Sequence, residues 1–260
     1  ESLLYLLKKN ISAKIIFTFH NNPKEMRGST SIKERKYIAE NTDQIYFVSK
    51  WVKDKFFEGL PYNHKNNCEI IYPAINPLRK FPKKEKLIIF CGKLNSSKGY
   101  DIFGKAIIKI LNKYKDWKAL AVGNEPREKF SFNHKNFKIL DWVQHKKILN
   151  FYSKSSISVV PSKWLEPFGR TAMESAAHGC ATITSRNGGL PETFYNQLFL
   201  EKITSDEIYN LISKLIKNSK LRSHIQKQNF LNVKHKLFDK VKKIDDLKNF
   251  YFASNVNFNK

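Results

Sequence analysis

The stretch from Pro161 to Glu174, PSKWLEPFGRTAME, carries the residues best suited to chemistry. Glu166 and Glu174 are separated by seven residues, and Pro167 and Gly169 stand between them where a loop turns into a helix. Glu166 then lies before the helix start, and Glu174 about a turn and a half inside it. The amides of Phe168 to Thr171 point out of the helix N-terminus, where unpaired donors and the positive end of the dipole suit an anion. A loop carboxylate can accept hydrogen bonds from sugar hydroxyls and a helix carboxylate from a ribose diol, with a diphosphate between them. Spacing alone leaves a plainer alternative open, a capping Glu166 and a solvated Glu174.

A second group is Gly92-Lys93-Leu94 followed by Lys98-Gly99. Two cations on one strand-end loop suit a diphosphate leaving group, because fixed charge stabilises the departing phosphate more in the transition state than in the ground state. Two solvated lysines are the alternative. His20, just past the run KIIFTF, is a lone histidine, and a lone histidine is often structural; Asn21 or Asn22 could hold its ring. Trp142, in Asp141-Trp142-Val143, could stack on a base or cover the core, and Arg186 could face phosphates.

The elements that must position these residues alternate between strand and helix. Leu3 to Leu7 reads as a helix, then come a strand over Lys14 to Phe19, a helix over Ser31 to Glu40 and a strand over Asp43 to Val48. Ser49 caps a helix through Phe57, and Glu69 to Tyr72 is a third strand. Pro73, Pro77 and Pro82 then mark a linker. Strands at 87–91, 118–122, 137–140, 157–160 and 181–184 follow, with helices at 101–114, 145–153, 169–178, 205–218, 220–233 and 240–252. Such alternation predicts parallel strands covered by helices, an α/β chain with ligands at the C-terminal strand ends. The expected division is an N-terminal domain over 1–77, a nucleotide-sugar-binding domain over 78–240, and a C-terminal helix and tail over 241–260 that packs back on the first domain.

With 260 residues and 41% hydrophobic content the chain is globular in composition, not disordered. Its net charge is +24, from 47 Lys+Arg against 23 Asp+Glu, and would attract phosphates or anionic headgroups. Lysine is nonetheless spread over nearly every segment, which fits a lysine-rich habit as well as a binding surface. Cys68, Cys91 and Cys180 are far apart and odd in number, which reads as reduced, buried thiols and a cytoplasmic address. No apolar run reaches transmembrane length.

The Glu-x7-Glu pattern in EPFGRTAME, the preceding Pro161-Ser162 and the later Asn187-Gly188-Gly189-Leu190-Pro191-Glu192 closely resemble the family-4 retaining glycosyltransferases. The resemblance runs from about Ile15 to the C-terminus. It implies a GT-B fold of two doubly wound Rossmann-like domains, and transfer of a sugar from a UDP- or GDP-sugar to a hydroxyl with retained configuration. By that resemblance Glu174 binds the ribose hydroxyls and Glu166 the donor sugar near its reacting face. Phe168 and Gly169 amides meet sugar hydroxyls, Arg170 and Thr171 amides face the phosphates, and Val143 and Trp142 lie by the base. Lys93 and Lys98 grip the diphosphate, although the first of that pair is usually Arg, so bidentate geometry is lost. His20 faces the donor sugar. The family has many more residues before this His than the nineteen here, which implies an incomplete N-terminal domain.

No metal and no cofactor are expected, since the lysines and helix dipole supply the neutralising charge. The implied setting is cell-envelope or lipopolysaccharide synthesis on a glycan or lipid-linked acceptor, with peripheral contact to the anionic inner face of a membrane. The rivals are a sugar-nucleotide-binding fragment without catalysis and a basic nucleic-acid-binding protein. The second has no recognised motif and no place for the Glu pair.

Overall fold

The computed structural model describes residues 15–61, 67–76, 78–195, 197–236 and 245. The helix expected at 3–7 and the C-terminal helix expected at 240–252 lie outside the described residues, apart from Asp245. Contacts divide the described chain into two units. One holds the described residues up to Ala74 together with Glu166–Phe168 and Asp245, and the other holds Ile75–Leu165 and the described residues from Gly169 to Lys236.

In the first unit β1 (Ile16–Phe19), β2 (Gln44–Phe47) and β3 (Cys68–Ile70) form a parallel sheet in that order. Helix α1 (Ile32–Glu40) starts at a capping box, with Ser31 Oγ accepting from the Glu34 amide and Glu34 accepting from the Ser31 amide. Helix α2 (Lys50–Phe57) is capped by Ser49. Arg35 is 1% exposed and donates to four carbonyls, those of Ser29, Thr30, Phe56 and Glu58. It thereby ties the loop before α1 to carbonyls that the end of α2 leaves unpaired. β3 begins one residue earlier than the sequence predicts and ends at Ile70. It is an edge strand among the described residues, so Cys68 is only half-buried, unlike the buried Cys91 and Cys180.

Ser49 also fixes the segment that carries Glu166. Its Oγ accepts from the Val52 amide at 3.0 Å and donates to the carbonyl of Pro167. The Phe168 ring lies 5.7 Å from that of Tyr72. Ser49→Ala is expected to lower stability by about 1–2 kcal/mol through loss of the cap. Urea unfolding of the two chains checks this, and coincident midpoints would show that the cap contributes nothing.

The second unit is a Rossmann-like α/β domain. Its strands are β4 (Glu85–Cys91), β5 (Lys118–Val122), β6 (Phe137–Leu140), β7 (Ser155–Val160), β8 (Ala181–Thr184) and β9 (Leu198–Phe199). They form one parallel sheet in the order β6-β5-β4-β7-β8-β9. The helices are α3 (Tyr100–Lys113), α4 (His145–Lys154), α5 (Arg170–Ala177), α6 (Ser205–Lys217) and α7 (Ser219–Lys236). Alternate residues of β4 enter different cores. Ile88 and Phe90 pack with Phe103, Ile107 and Ile110 of α3 and Ile208 and Ile212 of α6. Ile89 and Cys91 pack on the other face with Tyr152, Ile148 and Leu149 of α4. Each fully buried aliphatic side chain contributes about 1.5–3 kcal/mol. Such two-sided burial explains why β4 reads as a continuous apolar run from Leu87 to Cys91.

Candidate active site

Strand order reverses at β4. The chain runs from β4 outward to β5 and β6, then returns to lay β7 on the other side of β4. The loops after β4 and β7 therefore diverge from neighbouring C-terminal ends, the place where open parallel sheets bind ligands. Lys93 and Lys98 lie on the first loop, and the second leads to α5. The two loops are joined through the Ser97 carbonyl, which accepts from the amides of Lys163 and Trp164 at 2.9 and 3.0 Å. Gly99, the residue before α3, has φ +75°, and a Cβ there would lie 2.2 Å from the Pro161 carbonyl oxygen. Only glycine allows that approach.

The loop after β4 is built from side chains. Asn95 Oδ1 accepts from the Lys98 amide and from Ser97 Oγ, each at 3.0 Å, and Glu128 accepts from the Ser96 amide at 2.9 Å. The Lys98 ammonium stands 4.1 Å from the centre of the Trp164 ring, a cation–π contact. Lys93 is exposed and lies in the field of Glu125. The Glu125 carboxyl is pulled down to about 2, first by its hydrogen bonds with Arg127 and last by the charge of Lys93.

Helix α5 begins after Gly169, which has φ +101° and provides no side-chain cap. A Cβ at Gly169 would lie 2.4 Å from Leu190 Cδ2. The Gly-Gly-Leu-Pro-Glu stretch therefore packs its fully buried Leu190 under the start of α5. Asn187 Nδ2 donates to the carbonyls of Ser162 and Lys163 at 3.0 and 2.9 Å, and Ser185 Oγ donates to Ser162 at 2.6 Å, which binds the two motifs into one structure. Arg170 is exposed and Thr171 half-buried at the first two helical positions.

Glu174 is 5% exposed, one turn into α5. Its Oε1 accepts from His145 Nε2 at 3.0 Å and from Arg170 at 3.3 Å. His145 is the first residue of α4, so the two helices meet at this carboxylate. Their other ends are joined by Lys84, whose ammonium donates to the carbonyls of Tyr152 and Ser153 in α4 and of His178 after α5. Burial lowers the pKa of Lys84 and is likewise the first cause lowering that of His178, whose Nδ1 contacts the Glu174 carbonyl at 2.8 Å.

At the end of β6, Val143 packs against the α4 core while Trp142 is 56% exposed. Trp142 therefore does not cover the core. In the first unit His20 is exposed after β1, and Glu166 is half-buried beside Pro167 and Phe168. Two sequence expectations need correction. Asn22 is engaged by a short turn, accepting from the Lys24 amide and donating to Glu25, so it does not hold the His20 ring. Arg186 pairs with Glu201, just past β9, at 3.2 Å and stacks 4.0 Å over Phe199 of β9, so these two residues take up the charge that could otherwise face phosphates.

The described residues thus bring Lys93, Lys98, Gly169, Arg170, Thr171, Glu174, Trp142 and Val143 to the C-terminal end of one sheet. Sequence reasoning missed His145, Trp164 and the Asn95–Glu128 framework. Trp164 was readable only as part of the Glu motif, and His145 lies too far from Glu174 in the chain for any short spacing to link them. Among the described residues no group of three His, Cys, Asp or Glu could hold a metal ion. None of their helices is long and apolar enough to cross a membrane.

Residues 74–231 match the model of the family described as glycosyl transferases group 1. The chain belongs to that family. This group 1 member is similar to the uncharacterized glycosyltransferase MJ1178 of Methanocaldococcus jannaschii, 32% identical over 228 residues, which cover 84% of this chain and 62% of the relative. It is 31% identical over 179 residues to an uncharacterized protein in the cps region of Klebsiella pneumoniae, covering 65% of this chain and 46% of that protein. It thus spans less than two thirds of the length of either relative. Among solved structures, Anabaena HepE in complex with UDP and glucose superposes with TM-score 0.73 at 15% identity, covering 93% of this chain and 72% of HepE. The C-terminal domain of a group 1 protein, LpcC, from Francisella tularensis superposes with TM-score 0.51 at 29% identity, covering 64% of this chain and 95% of that domain. The group 1 member shares with these structures the α/β fold with parallel sheets, that of GT-B glycosyltransferases.

Proposed function

We propose that this group 1 member transfers a sugar from a nucleoside diphosphate sugar, UDP- or GDP-linked, to a hydroxyl acceptor. The observation that carries the reading is the buried Glu174, held one turn inside a helix whose uncapped start adjoins the Lys98 loop at the strand-order switch. A ribose diol on Glu174 puts the diphosphate on the amides of Arg170 and Thr171, with Lys98 and Lys93 beside it. Val143 and Trp142 take the base, and Glu166, the Phe168 and Gly169 amides and His20 take the sugar. Residues 78–240 then make up the donor domain and 1–77 the acceptor side.

The reaction proceeds with retention on one face of the sugar. The acceptor oxygen bonds to the anomeric carbon as its bond to the β-phosphate oxygen breaks. The acceptor proton passes to the departing phosphate, giving glycoside and free nucleoside diphosphate. Lys98 and the α5 dipole stabilise the charge on that phosphate without a metal. HepE, solved with UDP and glucose, supports a UDP-sugar as donor. The net charge of +24 supports a lipid-linked or glycan acceptor at the inner face of an anionic membrane, and the widely spaced, buried Cys91 and Cys180 suit the cytoplasm.

Lys98→Ala tests the reading. Turnover is expected to fall about tenfold, equivalent to 1.4 kcal/mol of transition-state stabilisation, while the donor KM changes less. Steady-state transfer assays and titration of the free diphosphate check it. Equal losses in turnover and in diphosphate affinity would make Lys98 a docking charge only.

A further inference from the structure

We propose that His145 is a positioning residue for the donor ribose: it fixes the Glu174 carboxylate so that one oxygen is held by the protein and the other is presented to the nucleotide. The inference rests on the sugar-nucleotide reading above. Among the described residues both hydrogen bonds to the carboxylate fall on Oε1, from His145 and from Arg170. The described residues do not hold Oε2. A carboxylate only accepts, so His145 Nε2 must carry a hydrogen, either as the Nε2–H tautomer or as imidazolium. The terminal torsion of a glutamate is broad and roughly two-fold, so an unheld carboxylate would rotate about it. A diol needs both its hydroxyls met in one plane, and a fixed Oε1 sets that plane before the nucleotide arrives.

His145 is better suited to this than Arg170. Arg170 is one turn away on the same helix, its side chain 67% exposed, and contacts the carboxylate at 3.3 Å. His145 approaches from a different helix, and Lys84 ties the far ends of the two helices together. The separation of His145 and Glu174 is therefore set by the fold, and a short imidazole loses less conformational entropy than a guanidinium chain. The His145 side chain is 53% exposed at the first position of α4, so it can be replaced without opening a core.

The test is calorimetric titration of UDP and GDP, and of their 2′,3′-dideoxy forms, into the wild-type chain and variants. His145→Ala is expected to weaken binding of the ribonucleotide about fivefold, the scale of one net hydrogen bond, and to leave the dideoxy form unchanged. His145→Gln, whose amide can donate from a similar place, restores the affinity. In the Glu174→Ala background, removing His145 changes nothing further. Equal loss for ribo and dideoxy forms, or additional loss in the Glu174→Ala background, would overturn the positioning role. So would unchanged binding in His145→Ala while Glu174→Ala loses affinity. If Glu174→Ala itself binds ribonucleotides as well as wild type does, the ribose reading fails and takes this inference with it.

Discussion

Glu174→Ala is expected to lower affinity for a bare nucleoside diphosphate by about 1.5–3 kcal/mol, a factor of roughly 10–100. The contact is made to the ribose, so it is present before and after transfer, and the loss appears in binding itself. Two observations make the figure more than a generic charge deletion. Glu174 is 5% exposed, so its hydrogen bonds form where water competes poorly. It is also held by His145 and Arg170, so little freedom remains to be lost when the diol docks. Calorimetry with free UDP and GDP measures the effect, and an unchanged dissociation constant would remove Glu174 from the ribose role. A control comes from the same variant: α5 is anchored by Leu190 under Gly169 and by Lys84 at its end, so the fold should persist.

Glu166→Gln should behave in the opposite way. Affinity for the bare diphosphate stays within about twofold, and turnover of the sugar nucleotide falls by about 10- to 100-fold, because a misplaced sugar loses alignment as well as a contact. The motivation is position. Glu166 precedes the uncapped start of α5, and its neighbours are fixed by Ser49 on Pro167 and Tyr72 against Phe168. That anchoring places the carboxylate on a held segment, so its effect should show in the reacting geometry. Nucleotide titration and steady-state transfer on this one variant measure it. A loss of nucleotide affinity as large as that of Glu174→Ala would end the division of labour between the two carboxylates.

Much of this architecture is legible in the sequence, and the reason is local. Strands β5 and β8 coincide with the runs expected at 118–122 and 181–184, because strands buried on both faces leave little room for charge, and the edge strand β6 coincides with that at 137–140 although it is only half-buried or exposed along its length. Ser49 announces its helix because an N-cap is a local chemical need, whereas Ser31, read as the first helical residue, is the cap before it. The glycine at 169 and the Leu190 motif are also visible, although only the structure shows that one exists to fit the other. What escaped is long-range and carried by single residues. Strand β9 has two residues, too few for a period to show. Lys84 is one cation in a run of four Lys and Arg within 79–84, and nothing local marks it as the one that ties α4 to α5. Arg35 looks like any basic residue of a helix and is instead buried on four carbonyls. Arg186 was expected to face phosphates because the partners that claim it, Glu201 and Phe199, arrive only when β9 pairs with β8.

The claim that a nucleoside diphosphate sugar docks on Glu174 and the start of α5 is tested most directly by thermal unfolding with a panel of UDP-, GDP- and ADP-sugars. A donor present at a hundred times its dissociation constant should stabilise the wild-type chain by about 2.7 kcal/mol. At least one of these donors is expected to raise the midpoint of the wild-type chain and, at the same concentration, to give a much smaller shift with Glu174→Ala. A panel in which no sugar nucleotide moves the wild-type midpoint, or one whose shift survives intact in Glu174→Ala, would contradict it.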